Sequence, residues 1–481
     1  MNRNLLFPTL ILLTLLAMSC KDEDLPIEPE NPEEVEEVPS STVDTLITSS
    51  GVQFVRTPDS QFENLSDWPY PYQYVEIDGL RQAYAESGPA DGDVVLLLHG
   101  QPSWSYLYRK MIPVLADAGY RVIAMDHLGM GRSDKPIDIA AYSYLGHNDR
   151  LEQFIIELGL SDINLFVQDW GSLIGLRVAG LNPDGFATIS VGNGMLPVIP
   201  AGTEVFPTVQ DPDSVIGIPS IYAAIPAQQI PFYDGCTRIL GPEDESFFGD
   251  WMTYAMKSSS FHASETVEAM TWFDLPDAVE AAYDAPFPSR TYMAGIRTFP
   301  SLINEVPGTT QDAWVGLQNY QKPFLTIWAN NDPGNLGSCE LQQSFIDNVP
   351  GAAGKPHARL PEASHFLQDD QGEEIARRLV EFYRGNYMGG NFGEEVDSVE
   401  ETCESDPNED PRQYCEFLLA YQRNGALTAE VWGTQGLSNC PSGCLDEVDL
   451  DAVQSENGAL VISLNGPRIW LPMGDAELPE L

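Results

Sequence analysis

Basic residues are scarce in this chain. Lysine and arginine together number 24 against 72 aspartates and glutamates, giving a formal net charge of -48 over 481 residues. That balance argues against a nucleic-acid partner, because phosphate backbones are bound through a basic footprint. Histidine is scarcer still, at six residues, so a proton-transfer imidazole must come from a short roster. The N-terminal apolar run, residues 5–18, is too short for a comfortable transmembrane helix. No internal repeat is evident. What the chain does have is 43% hydrophobic and 10% aromatic residues, enough for a large core, in a length that suggests two or three domains. Its acidity is uneven. Residues 21–50 and 393–411 are dense in Asp and Glu and read as solvated linkers.

The N-terminus reads as an export signal. Arg3 supplies a basic start, residues 5–18 an apolar core, and Ala17-Met18-Ser19-Cys20 a small-residue end. This resembles a bacterial lipobox, which implies a signal peptide over residues 1–19 and a lipidated Cys20 as the mature N-terminus. Lys21-Asp22-Glu23-Asp24 then resembles the acidic surface-export signal of Bacteroidetes lipoproteins. The expectation is an exported protein held at the outer membrane by its lipid alone, with residues 20–50 as a Pro/Glu-rich tether. A plain secretory signal is the alternative. Seven cysteines less Cys20 leave six, an even number suited to an oxidising compartment. Cys236 and Cys339 fall in the central part; Cys403, Cys415, Cys440 and Cys444 fall near the C-terminus, where three pairings are open. A zinc site is a rival there, but Cys403 and Cys415 are far apart in sequence, and no metal is expected.

The most informative stretch is Leu165-Phe166-Val167-Gln168-Asp169-Trp170-Gly171-Ser172. Residues 163–167 read as a buried strand and residues 172–179 as the start of a helix. A sharp strand-to-helix turn flanked by glycine is a nucleophile elbow, and its tip here is Asp169. A carboxylate nucleophile displaces a leaving group from carbon and forms an alkyl ester. Strands are also expected at 74–76, 80–85, 94–98, 120–125, 187–191, 323–329 and 358–360, with helices at 144–158 and 370–383. Alternating strands and helices give an α/β fold with a doubly wound, mostly parallel sheet. Residues 196–283 interrupt the alternation, are helical in pattern, and read as a cap over the sheet edge where ligands bind. Two further residues follow late strands, Asp332 and His365. That gives the order nucleophile, acid, base of the hydrolase arrangement. Asp169 is already ionised near neutrality, so His365 has water, not the nucleophile, to deprotonate. Asp332 orients the imidazole and stabilises its charged form.

These motifs carry a resemblance. Arg56-Thr57-Pro58-Asp59, Trp104-Ser105-Tyr106-Leu107-Tyr108-Arg109-Lys110, Ser133-Asp134-Lys135-Pro136, Val167-Gln168-Asp169-Trp170-Gly171, Ala285-Pro286-Phe287-Pro288 and Ala294-Gly295-Ile296-Arg297 are similar to those of haloalkane dehalogenases, an α/β-hydrolase family. The nearest subgroup is that of the Xanthobacter-type dichloroethane enzyme, and the similarity spans residues 52–384. It implies hydrolysis of haloalkanes to alcohol and halide with no cofactor. It also implies a halide held by the indoles of Trp170 and a cap tryptophan, Trp251, with Trp272 as the competitor. Indole N–H groups donate and do not accept, which suits an anion. Backbone N–H groups of Gln101 and Trp170 would form the oxyanion hole. Gln101 departs from the subgroup's Glu, Ser172 from its Gly, and Asn330-Asn331-Asp332 from its Lys-Asp. The partner implied is a small halogenated molecule, and a monomer is expected. Within the superfamily an epoxide hydrolase is a rival, disfavoured because Gln168 stands where it usually has His. A β-lactone decarboxylase is another, and a non-catalytic surface-binding lipoprotein a third.

Beyond residue 384 lies an acidic linker, 385–412, and a small disulfide-containing accessory domain, 413–481, without assigned function. Within it, Asn465-Gly466 between residues 459–464 and 469–471 reads as a hairpin turn.

Overall fold

The computed structural model describes residues 44–207, 209, 246–332 and 335–385, together with the strands Phe417–Arg423, Ala426–Trp432, Leu460–Ser463 and Ile469–Met473. Eight strands form the central sheet: β1 (Tyr72–Ile77), β2 (Leu80–Ser87), β3 (Val94–Leu98), β4 (Arg121–Met125), β5 (Ile163–Asp169), β6 (Phe186–Gly194), β7 (Phe324–Ala329) and β8 (Ala358–Leu360). Their spatial order is β8-β7-β6-β5-β3-β4-β2-β1. From β4 to β8 every neighbouring pair is parallel; β2 runs antiparallel to β4, and β1 antiparallel to β2. The sequence explains the layout. Val-Val-Leu-Leu-Leu in β3 is apolar on both faces because helices cover both faces of a parallel sheet. Edge strand β1 instead alternates buried and wet positions. Asp78 and Gly79, both with positive φ, make the tight β1–β2 turn.

Register decides where chemistry can sit. Leu98 in β3 lies opposite Met125 in β4 and Val167 in β5. The loops beginning at His99 and Asp126, and the elbow at Asp169, therefore emerge side by side at the carboxyl edge. The helix after β5 runs Trp170–Leu181 and starts at Trp170, two residues before Ser172. Gly171 permits the early start, since a Cβ there would lie 2.1 Å from the Leu98 carbonyl oxygen. Between β6 and β7 the chain forms helices Ser246–Lys257, Ala263–Ala269 and Asp277–Asp284, within the expected cap. Residues 210–245 of that expectation lie outside the described residues. The helical stretch then continues through Ala294–Thr298 and Gln311–Leu317 before the chain returns to β7.

One expectation is corrected. Leu460–Ser463 and Ile469–Met473 do not pair with each other across Asn465-Gly466. They lie on opposite edges of a four-stranded antiparallel sheet whose central pair is Phe417–Arg423 and Ala426–Trp432, with Arg423 opposite Ala426. Cys339 is disulfide-bonded. The other six cysteines, Cys20 among them, the signal peptide, the tether up to residue 43 and the acidic linker beyond Gly385 lie outside the described residues. The tether expectation is corrected at its end: Leu46–Ile47 is a short strand antiparallel to Gln53–Val55, so residues 44–50 belong to the folded unit.

Candidate active site

Asp169 ends β5 with φ 50° and ψ -126°, a conformation rarely held by a residue with a side chain. Two glycines accommodate it. A Cβ on Gly100 would lie 2.2 Å from Asp169 Oδ1, and Gly171 lets the following helix abut β3. The carboxylate thus stands at the helix start, 13% exposed, with both oxygens engaged. Oδ1 accepts the backbone N–H of Gln101 at 2.8 Å. Oδ2 lies 3.6 Å from His365 Nε2. On the far side of the ring, His365 Nδ1 is 2.8 Å from Oδ2 of Asp332, whose side chain is fully buried. The structure therefore brings together Asp169, His365, Asp332 and the Gln101 N–H from four separate loops.

The loops behind this line are stitched together. Asn193 at the end of β6 donates to the Ser364 carbonyl at 3.1 Å and accepts the Ala329 N–H at 2.8 Å, joining the histidine loop to β7. Ser364 Oγ donates to the Asn331 carbonyl, next to the acid. Burial alone would lower the pKa of His365. The charges of Asp332 and Asp169 and their hydrogen bonds outweigh it and raise the imidazole to about 10. Two carboxylates flank the ring and favour its protonated form.

Several contributors were not read from the sequence. Gln168 is fully buried, and its Nε2 lies 3.1 Å from the His365 carbonyl and 3.2 Å from its Nε2. Its position beside the nucleophile was the only available hint. The Gln101 side chain donates to the Ile296 carbonyl at 2.8 Å, so the residue lending an N–H to Asp169 is itself anchored. His99 and His127 buttress the same loop. The His127 N–H donates to His99 Nε2, which leaves the His99 proton on Nδ1, 2.7 Å from the Gly100 carbonyl. Burial holds both rings well below the usual histidine range, His127 at about 4, so both are neutral supports.

The tryptophans fall in different surroundings. Trp170 is buried edge-on against Phe299 at 5.4 Å. Trp251, on the cap helix, packs with Tyr254 and Phe261; it belongs to the same continuous core cluster as Trp170. Trp272 is half-buried and approaches the base through its backbone. The N–H groups of Trp272 and Phe273 donate to Asp370, which also accepts the N–H of Ser364, while Phe366 donates to the Met270 carbonyl. The cap and the histidine loop are thus tied directly. A second tie is buried: Arg109 pairs with Asp369, which also accepts the Tyr283 hydroxyl from the cap.

A carboxylate on a strained elbow over a parallel sheet, with an acid and histidine following later strands, is the arrangement of an α/β hydrolase. In agreement, residues 93–204 match the family model for the alpha/beta hydrolase fold. The chain is 41% identical over 336 residues to a haloalkane dehalogenase of Mycobacterium marinum, covering 68% of this chain and 98% of that protein. A haloalkane dehalogenase of Psychrobacter cryohalolentis is 38% identical over 345 residues, covering 70% and 99%. Among solved structures, the tetrameric haloalkane dehalogenase DpaA of Paraglaciecola agarilytica superimposes with a TM-score of 0.54 at 28% identity, over 68% of this chain and 97% of that one. The chain belongs to the haloalkane dehalogenase family.

Proposed function

We propose that the protein hydrolyses haloalkanes to alcohol and halide through an alkyl ester on Asp169. The observation that carries this reading is the division of labour between the two carboxylate oxygens. Oδ1 is held by the Gln101 N–H, whereas Oδ2 faces His365 and the open side of the elbow. Oδ2 attacks the halogen-bearing carbon, and the carbon–halogen bond breaks with its electron pair leaving on the halide. The indoles of Trp170 and Trp251 donate to that departing anion. Ester formation also removes the charge of Asp169. One of the two carboxylates that hold the proton on His365 is then gone, so the imidazole pKa falls, the ring releases its proton to solvent and it becomes available as a base. It takes a proton from water as the oxygen adds to the ester carbon. The new negative charge collects on Oδ1, where the Gln101 N–H waits, joined by that of Trp170. Collapse expels the alcohol, which takes its proton from His365, and restores Asp169.

The test is product analysis. Purified unlipidated protein should release halide and the matching alcohol from brominated and chlorinated alkanes, and leave an epoxide and a β-lactone unchanged. Conversion of the epoxide or β-lactone without halide release from any haloalkane would overturn the assignment.

The halide site has its own check. Bromide should quench the intrinsic fluorescence saturably, and Trp251→Phe should slow halide release more than Trp272→Phe. The reverse order would move the donor role to Trp272.

The same proposal includes export. The lipobox-like Ala17-Met18-Ser19-Cys20 supports lipidation at Cys20. Cys20→Ser should release the protein from membranes. Retention of that variant after a carbonate wash would refute the anchor.

A further inference from the structure

A hollow of about 540 Å³ is lined by none of the candidate catalytic residues. Three guanidinium groups, of Arg56, Arg81 and Arg132, line it, with the rings of Tyr70, Tyr72 and Tyr74. No lining residue belongs to β5, β7 or the histidine loop that carry the candidate catalytic groups. The concentration of positive charge runs against the chain's composition, which holds only 24 basic residues in 481.

The guanidinium groups are fixed before any ligand arrives. Asp134 is fully buried and takes Arg56 Nε at 2.8 Å, Arg56 Nη2 at 3.1 Å and Arg81 Nε at 3.3 Å. Arg81 lies 4.4 Å over the Tyr74 ring, and Arg132 4.6 Å over the Tyr72 ring. Among the described residues, no acceptor takes the outer N–H groups of Arg56 and Arg81, which are 38% and 30% exposed. The third fork, of Arg132, donates through Nε to the Tyr74 hydroxyl at 3.2 Å and through Nη2 to Asp59, a rim carboxylate that is 86% exposed. Such a surface ion pair contributes little and is readily displaced. Asp134, Asp59 and Glu76, which lies opposite Arg81 across β1 and β2 and acts on Arg56, balance the three arginines, and displacement of Asp59 leaves a net charge of +1. Planar guanidinium forks lining one hollow suit the oxygens of a tetrahedral anion.

We infer that this hollow is a second ligand site, one that takes the phosphate or sulfate group of a small organic molecule. The three guanidinium groups grip the oxyanion, with Asp59 swung aside, and the tyrosine rings wall the space left for the organic part. The inference stands independently of the reaction assigned to Asp169.

The test titrates the full chain calorimetrically, at constant ionic strength, with inorganic phosphate and separately with inorganic sulfate. Saturable binding of one equivalent by either anion is expected, and the tighter of the two names the group. Arg81→Gln should weaken it by about tenfold, the loss of one charge-assisted fork. Arg132→Gln should do the same from a different element, so a folding defect in one variant leaves the other to decide. Both variants should keep native halide release and bromide quenching. Absence of saturable heat with both anions would overturn the inference. So would binding unchanged in both variants, or phosphate that competes with bromide, which would place the anion in the halide site instead.

Discussion

Replacing His365 with Gln should leave an enzyme that releases about one halide per site and then stops, because the covalent step needs no base. In the proposed mechanism, displacement at carbon uses Asp169 Oδ2 and the donors that receive the halide. His365 enters it only when water must be activated, and removing a general base lowers the rate of its step by roughly 10²–10⁴-fold. Gln fills nearly the same space, and its amide can still meet Asp332, so the fold should survive. A rapid-quench trace should show a burst of halide at the native rate followed by a flat line. A uniformly slow trace without a burst would mean that the base acts before or during displacement.

Asp169→Ala should show neither burst nor turnover. Among the described residues no other carboxylate accepts the Gln101 N–H, and Asp332 sits on the far side of the imidazole. The variant carries a second readout. Asp169 is one of two carboxylates that raise His365 to about 10 against the penalty of burial. Removing it must lower that pKa, which imidazole NMR can follow. The sign extends to stability. A raised folded-state pKa stabilises the native state fully below the unfolded value of about 6.5 and loses that contribution as pH climbs towards about 10. In Asp169→Ala the loss should be complete at a lower pH. An imidazole that titrates unchanged in this variant would place the raising charge elsewhere.

Much of the catalytic line was legible in the sequence. Asp169 and Asp332 each follow an apolar run, and strands buried on both faces leave little else for such runs to be, whereas His365 follows the short edge strand Ala358–Leu360. What was not legible depends on contacts far apart in the chain. Gln168 earns its place only because β5 meets a loop 197 residues later. Asp370 earns its place by meeting Trp272 and Phe273 across 98 and 97 residues. The C-terminal turn shows the complementary failure. Asn424-Gly425 and Asn465-Gly466 are the same local signal, yet the strands that pair in immediate succession flank the first and not the second. A turn dipeptide states where a chain can reverse; packing between strands decides whether it pairs there. Trp251 and Trp272 were ranked by the family resemblance, counted back from Ala285-Pro286-Phe287-Pro288. The structure gives each a distinct setting, one among cap aromatics and one tied to the histidine loop.

The central claim is that the reaction passes through an ester on Asp169, and intact mass spectrometry tests it most directly. His365→Gln is mixed with 1,2-dibromoethane, or another substrate that the native enzyme accepts, and quenched after the burst. The account predicts a mass increase equal to the bound alkyl group, on about one site per chain, mapped by peptide sequencing to Asp169. A burst of halide without any adduct, or an adduct on a different residue, would contradict it.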